Sequence, residues 1–132
     1  MVEIFETKNG NVKAKLRELG PYEYVDYKLE QEFGKRKEKD VKNFEDGARY
    51  KGEWLDGTHI KEGKGMVIYA DGSVYEGYWK NDYRHGPGRY IHTDSYVYEG
   101  ERRIDKKHGR GKEVHANGNM YVGMYFDGER NG

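Results

Sequence analysis

Four of the five histidines fall into two pairs, and histidine is a side chain often used for metal binding and acid–base chemistry. His85 lies 23 residues before His108, and His92 lies 23 residues before His115. If each 23-residue unit adds two strands at about 4.8 Å, the members of a pair are roughly 10 Å apart, too far for one ion to bind both. We therefore interpret His85 and His108 as turn residues and the other pair as substitutes for an aromatic side chain, and we expect no metal site.

The acidic residues, serines and glycine pairs do not form a catalytic pattern either. Between residues 50 and 132, most acidic residues lie at turn corners or follow a repeated tyrosine, as Glu76 and Glu99 do. A column of identical groups lacks the dissimilar environments that separate an acid from a base. Ser73 and Ser95 are turn residues without a partner that could activate a nucleophile. The Gly-x-Gly pairs are expected to open strands, so they do not form a phosphate loop. The sequence predicts no catalytic residue, no cofactor and no enzyme activity.

An internal repeat positions these histidines, acidic residues, serines and glycine pairs. Four Tyr-x-Gly triplets follow one another at intervals of 25, 23 and 23 residues, beginning at Tyr50, Tyr75, Tyr98 and Tyr121. A Gly-x-Gly pair recurs in phase between them, at residues 63–65, 86–88 and 109–111. A period in the low twenties is typical of a repeat architecture.

Each unit is predicted to contain two short strands and two turns. The segment from Val74 to Trp79 is rich in aromatic and β-branched residues, which is typical of a strand. A turn is predicted from Asn81 to Gly86 and a second strand from Arg89 to His92. Successive units then form an antiparallel meander of hairpins. A glycine in mid-strand, such as Gly77, is expected to leave room for a neighbouring Tyr or Trp ring.

Together these marks resemble the membrane occupation and recognition nexus (MORN) repeat. The second unit is nearest to the family pattern and carries Tyr75, Gly77, Trp79, Gly86 and Gly88. The third unit departs from it, because Arg102 replaces the aromatic residue and Ser95 replaces the turn glycine. The resemblance covers residues 50–132, as units 50–74, 75–97 and 98–120 and a partial unit 121–132. It implies an all-β repeat fold, an elongated and twisted antiparallel β-meander of MORN hairpins, used for scaffolding and partner binding.

Residues 1–49 are predicted to form an N-terminal extension. Apolar residues at 12, 16 and 19 have helical spacing, with Asn9 or Asn11 as the cap and Gly20-Pro21 as the stop. The apolar face of this short helix could cover the open side of the sheet. Residues 22–27 could form a strand, and residues 39–44 resemble the second half of a degenerate preceding unit. A complete extra repeat is not expected, because Leu29 stands where the glycine should be.

Composition limits the remaining classes. The 132 residues carry 24 basic and 24 acidic side chains, and this zero net charge does not indicate general nucleic-acid binding. The chain has no cysteine, which fits a protein of the cytoplasm. No apolar stretch approaches the ~20 residues that a membrane-spanning helix needs. We therefore predict a soluble cytoplasmic protein without disulfides.

The third unit is locally basic. Residues 102–112 contain six cationic side chains and one carboxylate. This hairpin could attract an acidic protein surface or anionic lipid, or it could be an ordinary solvated turn. The cations are Arg102, Arg103, Lys106, Lys107, Arg110 and Lys112.

Two hypotheses for function follow from the resemblance. The first is a non-enzymatic scaffold whose aromatic face receives a helix or extended peptide, within a ciliary or cytoskeletal assembly. The second is a peripheral membrane or phosphoinositide adaptor, or the targeting module of a larger lipid-modifying enzyme. The aromatic face is predicted to consist of Tyr50, Trp54, Tyr75, Trp79, Tyr98, Tyr121 and Tyr125.

A strand over residues 120–126 is also expected to be the edge of the sheet, where the natural chain continues or another polypeptide pairs.

Overall fold

The computed structural model describes residues 4–24 and 31–131. Within these ranges it contains one helix, α1 (Gly10–Leu19), and ten strands. The strands are β1 (Arg36–Glu38), β2 (Lys42–Asn43), β3 (Arg49–Leu55), β4 (Lys61–Ile68), β5 (Val74–Lys80), β6 (Tyr83–Ile91), β7 (Val97–Arg103), β8 (Lys106–Val114), β9 (Met120–Phe126) and β10 (Glu129–Arg130). Among the described residues, α1 is neither long nor apolar enough to cross a membrane.

The strands form one open antiparallel sheet in which neighbours in the chain are neighbours in space. The order runs from β3 to β10 without a crossover, and both β1 and β2 pair with β3. The tight turn that closes each unit recurs with the same backbone hydrogen bonds, which begin at Phe44, Tyr69, His92 and His115. The all-β meander of hairpins and the short N-terminal helix are therefore confirmed.

The turn predicted from Asn81 to Gly86 was wrong. The connection is only two residues long, since β5 ends at Lys80 and β6 begins at Tyr83. Asn81 and Asp82 have φ values of 50° and 72°, the left-handed conformation that a tight hairpin turn of this kind requires. The Gly-x-Gly pairs consequently lie inside the second strand of each hairpin and do not open it. The predicted strand from Arg89 to His92 was correspondingly too short.

A row of glycines crosses the middle of the sheet. Gly77 is paired with Gly65 on one side and with Gly88 on the other, and this pairing repeats from Gly52 to Gly123. A Cβ atom on Gly77 would lie 2.6 Å from Gly88 Cα and 3.0 Å from the Tyr75 hydroxyl oxygen. The space is thus occupied by the facing backbone and by the tyrosine ring, which confirms the packing interpretation of the repeated glycine.

Helix α1 covers one face of the sheet, which we call the helix face. The Asn9 side chain caps the helix by accepting a hydrogen bond from the Val12 backbone N–H at 3.0 Å, and Gly20 ends it with φ 77°. Val12 is completely buried and packs in one cluster with four residues of β4 to β7: Ile68, Val74, Ile91 and Val97. The predicted covering role is confirmed.

The chain after α1 remains on the helix face. Tyr24 packs edge-on against Tyr78 of β5, with ring centroids 5.3 Å apart, and Phe33 stacks on the same ring at 5.6 Å. The buried Glu62 carboxylate accepts a hydrogen bond from the Gly34 N–H at 2.9 Å. Residues 22–24 do not form a strand. Residues 25–27 of the predicted strand lie outside the described residues, and so does Leu29, which stands where the repeat glycine should be.

Candidate interaction surfaces

The face opposite to α1 carries the repeated aromatic residues, and we call it the Tyr/Trp face. Trp79 lies between two tyrosines, with ring centroids 5.8 Å from Tyr50 and 5.4 Å from Tyr75 and nearly perpendicular planes. In the last unit Tyr125 lies in the same way between Tyr98 and Tyr121, at 5.5 and 5.6 Å. Edge-to-face contacts of this kind add to the stability of the sheet.

Almost all of this aromatic row is buried. Six of the seven residues predicted to contact a partner are at most 4% exposed: Tyr50, Trp54, Tyr75, Trp79, Tyr98 and Tyr125. The seventh, Tyr121, is half-buried. The structure brings the predicted residues together, but it places their rings in the interior of the Tyr/Trp face.

A column of cations, which we call the cation column, covers the rings. Its members are 23 residues apart, and each begins or continues the second strand of its hairpin. Each cation lies within cation–π distance of a ring, at 5.3 Å for Lys61 over Trp79, 5.5 Å for Arg84 over Tyr75, 4.8 Å for Lys107 over Tyr98 and 4.4 Å for Arg130 over Tyr121. This column was not predicted from the sequence, although its spacing equals the repeat period.

Arg102 takes the place that Trp79 has one unit earlier. Its guanidinium carbon lies 5.3 Å from the Tyr75 ring centroid and 5.0 Å from that of Tyr98. The residue is only 8% exposed, and burial together with the nearby Arg84 lowers its pKa below the ordinary arginine value. Arg102 therefore continues the aromatic row and does not reach the surface at which an anion was expected.

The other predicted cations are also divided between different parts of the sheet. Lys107 belongs to the cation column, whereas Arg110 and Lys112 are exposed on the helix face of β8. Arg103 and Lys106 are exposed partners at the end of the β7–β8 hairpin. The six cations of the third unit thus do not form one continuous patch.

A groove of about 290 Å³ on the Tyr/Trp face is lined by aromatic residues and by charges that are already paired. The Lys61 ammonium lies 3.8 Å from the Asp82 carboxylate. The Arg84 guanidinium lies 3.2 Å from the Asp105 carboxylate and also donates to the Asp105 carbonyl. A ligand on this face would have to compete with these contacts.

Glu113 is a buried carboxylate on the Tyr/Trp face, at a position that Val67 and Tyr90 occupy in the earlier units. Burial opposes its ionisation, but it accepts hydrogen bonds from the hydroxyls of Tyr125 and Tyr96 and from the Arg130 guanidinium. These bonds outweigh the burial and lower the pKa of Glu113 to about 2. The cluster joins β8 to β9 and β10.

Replacing Glu113 with glutamine is expected to lower the free energy of unfolding at pH 7 by on the order of 2–3 kcal/mol. An unfolded glutamate has a pKa near 4.3, so the stabilisation is complete above about pH 5 and is lost as the pH falls towards the folded pKa of about 2. The difference between Glu113→Gln and wild type should therefore shrink at low pH. Urea unfolding at several pH values measures it.

Glu99→Gln is the matched control for this experiment, because Glu99 is exposed on the neighbouring strand β7. We expect it to change the stability by less than about 0.5 kcal/mol at every pH. An equal loss for Glu113→Gln at neutral and acid pH would contradict the assignment of the low pKa to this cluster.

The helix face has an uncovered part near β9. Four alternate side chains of this strand are exposed to 60%, 57%, 46% and 61%, and we call them the open stripe: Met120, Val122, Met124 and Phe126. The stripe was not predicted from the sequence, because β9 is apolar on both faces and the repeat pattern marks only the face of Tyr121 and Tyr125. In β5, by contrast, Val74 and Tyr78 of the same face are buried.

A groove of about 660 Å³ lies between α1 and the open stripe. One wall is formed by Leu19, Pro21 and Tyr22, and Val122 lies at the opposite side. The floor comes from β6, β7 and β8 and includes Arg110 and Lys112 of β8. The floor also includes Glu99 and Glu101 of β7, so groove and stripe together form an accessible surface with apolar, basic and acidic parts.

Comparison with known proteins agrees with this architecture. A family model described as MORN repeat matches residues 50–74, 75–95 and 98–120. The third match includes the unit in which Arg102 replaces the aromatic residue. A search of curated protein sequences found no significant match. MORN repeats are in general protein- or membrane-interaction modules. The match extends over more than half of the chain, and the chain belongs to the MORN repeat family.

Proposed function

We propose that this chain is a non-enzymatic interaction module that binds a protein partner on the uncovered part of the helix face. The observation that carries this proposal is the open stripe beside the groove of about 660 Å³. Contiguous exposed apolar side chains on a soluble domain mark interaction sites. A groove with apolar walls can receive the apolar face of a helix or an extended peptide of a partner protein.

The Tyr/Trp face is a weaker candidate for direct contact. Its rings are buried under the cation column, and Lys61 and Arg84 of that column already face carboxylates. A partner on this side would meet paired charges, which contribute little affinity at an exposed surface. We therefore propose that the seven aromatic residues act mainly by holding the sheet rigid, so that the helix face is presented as a firm scaffold.

A second candidate function is binding to an anionic membrane surface. It is favoured by the exposed Arg110 and Lys112, which lie directly beside Met124 and Val122 in the pairing of β8 with β9. Apolar side chains flanked by cations can insert at a lipid headgroup layer. The ciliary or cytoskeletal setting inferred from the resemblance stays a prediction.

Capture experiments with the immobilised full chain test the proposal. The double variant Val122→Thr with Met124→Thr removes apolar surface while keeping strand propensity. We expect this variant to retain at least about tenfold less of the proteins that wild type captures from a cell extract. A tenfold difference corresponds to about 1.4 kcal/mol of binding free energy. Quantitative mass spectrometry of the retained proteins makes the comparison.

Tyr83→Thr is the matched control, because Tyr83 is 47% exposed at the far end of the β5–β6 hairpin. It should retain the same proteins as wild type. All three chains should have similar melting temperatures, since exposed substitutions change stability little. Retention of the same proteins by the double variant would place the partner elsewhere. Flotation with anionic vesicles that depends on Val122 and Met124, without any stripe-dependent protein, would favour the membrane function.

A further inference from the structure

Helix α1 shows how this sheet face accepts a helix. The Asn11 side chain donates a hydrogen bond to the Thr93 carbonyl just after β6, at 2.8 Å. At the other end of the helix the Arg89 guanidinium, within β6, donates to the Gly20 carbonyl at 2.8 Å. These two anchors place α1 along β6, with its apolar side on the sheet.

The groove lies where a second helix would fit beside α1. Strand β8 is two strands away from β6, or about 10 Å, and helices pack with their axes 8–10 Å apart. Leu19 at the end of α1 lines the groove and is 42% exposed. A helix over β8 would therefore contact Leu19 on one side and the open stripe on the other.

The apolar row beneath α1 continues into this space. Val97 is covered by α1 and pairs with Val114 of β8, which in turn pairs with Met120 of β9. Val114 is half-buried and Met120 is exposed. The row that α1 covers over β4 to β7 thus extends by two residues that α1 does not cover.

The position of the stripe favours a helix over an added strand. Its four side chains point away from one face of the sheet, so an occupant must lie on the face and not at the edge. A single strand laid on a sheet face would leave its backbone N–H and C=O groups without partners. A helix satisfies these groups internally, as α1 does on the same face.

The charges beside the stripe specify the occupant further. Arg110 and Lys112 are exposed on β8, and the exposed Glu99 of β7 is the register partner of Lys112. The Glu101 carboxylate accepts a hydrogen bond from the Arg110 backbone N–H, so it is engaged by the sheet itself. Glu99 and Glu101 both lie on β7, on the α1 side of β8. The two cations therefore call for carboxylates on the side of the occupant that faces the open stripe.

We infer that the groove and the open stripe bind an amphipathic α-helix of a partner protein, which lies beside α1 and carries acidic side chains along the margin of its apolar face, above Arg110 and Lys112. This inference rests on the proposed function and names the class of partner. It differs from membrane binding in requiring a defined helix.

Synthetic peptides of about four helical turns can test the inference. The first has leucines on one face and glutamates along one margin of that face, and the second has lysines in place of the glutamates. The third has the composition of the first in scrambled order. We expect the glutamate peptide to bind the full chain at least about tenfold more tightly than either of the others at low salt. Titration calorimetry measures binding, and circular dichroism reports helix formation.

Charge reversal provides the decisive variant. Arg110→Glu with Lys112→Glu should invert the preference, so that the lysine peptide binds more tightly than the glutamate peptide. Both residues are exposed on the surface, and the fold should tolerate the change. Equal affinity for the two peptides, or an order that charge reversal leaves unchanged, would overturn the inference.

The proposed function and the inference can fail separately. If extract proteins are lost with the Val122 and Met124 variant but no peptide binds, the function stands and the acidic helix is wrong. If the glutamate peptide binds with the expected charge dependence but no extract protein depends on the stripe, the site accepts the predicted helix and the proposed function is contradicted for that extract. Peptide binding without a gain in helix signal also overturns the inference.

Discussion

Valine in place of Gly77 is expected to lower the free energy of unfolding by about 3 kcal/mol or more. A Cβ atom at this position would lie 2.6 Å from Gly88 Cα and 2.7 Å from the Pro87 carbonyl oxygen. Both are backbone atoms of the paired strand, so the collision cannot be relieved by rotating a side chain. Strand propensity alone favours valine over glycine, and the prediction therefore opposes the intrinsic preference. Thermal and urea unfolding measure the change.

A pair of alanine variants separates crowding from the general effect of removing a glycine. Gly77→Ala adds only the colliding Cβ, whereas at Gly10 the added atom meets nothing within 4 Å. Gly10 begins α1, where alanine is the better helix former, so Gly10→Ala should be neutral or slightly stabilising. A Gly77→Val protein that melts at or above the wild-type temperature would refute the close-packing explanation.

The repeat period made the fold predictable from the sequence. Similar motifs that recur every 23 or 25 residues fix which strands are neighbours, and a short turn between strands leaves only an antiparallel pairing. The α1 cap and stop were predictable for a similar reason, because Asn9 and Gly20 act on backbone groups within the same turn of chain. Such local features do not depend on distant residues.

The ends of the strands were harder to predict. The sequence Asn81-Asp82 can turn within two residues because Asn and Asp tolerate positive φ. Strand β6 can then begin at Tyr83 and pass through the Gly-x-Gly pair. In sequence, the polar and glycine-rich stretch after Lys80 is equally typical of a longer loop.

Exposure of the aromatic residues could not be predicted, because it depends on contacts between strands. Tyr and Trp rings can be either binding surface or core, and Lys61 covers Trp79 only because the pairing of β4 with β5 places it there. The open stripe was missed for a related reason. Its exposure depends on how far α1 extends over the sheet. The extent of that coverage cannot be predicted from the sequence of β9.

Trp79→Ala is expected to be the most destabilising single truncation in the Tyr/Trp face, with a loss of about 3–5 kcal/mol. Trp79 is 4% exposed and fills the space between Tyr50 and Tyr75. Its indole N–H donates to the Gly65 carbonyl at 3.0 Å in the interior. Removing the ring creates a cavity between two units and takes away this hydrogen bond. Urea unfolding of the variant measures the loss.

Phenylalanine at the two tryptophan positions tests the contribution of the hydrogen bond. The Trp54 indole N–H is buried without a hydrogen-bond partner among the described residues, whereas that of Trp79 is bonded. Trp79→Phe should therefore cost about 1 kcal/mol more than Trp54→Phe. If instead Trp79→Ala unfolds like wild type and abolishes capture of proteins that the Val122 and Met124 variant still retains, the ring contacts a partner and does not hold the sheet. Its burial between two tyrosines leads us to expect the opposite, a large loss of stability that Trp79→Phe partly restores.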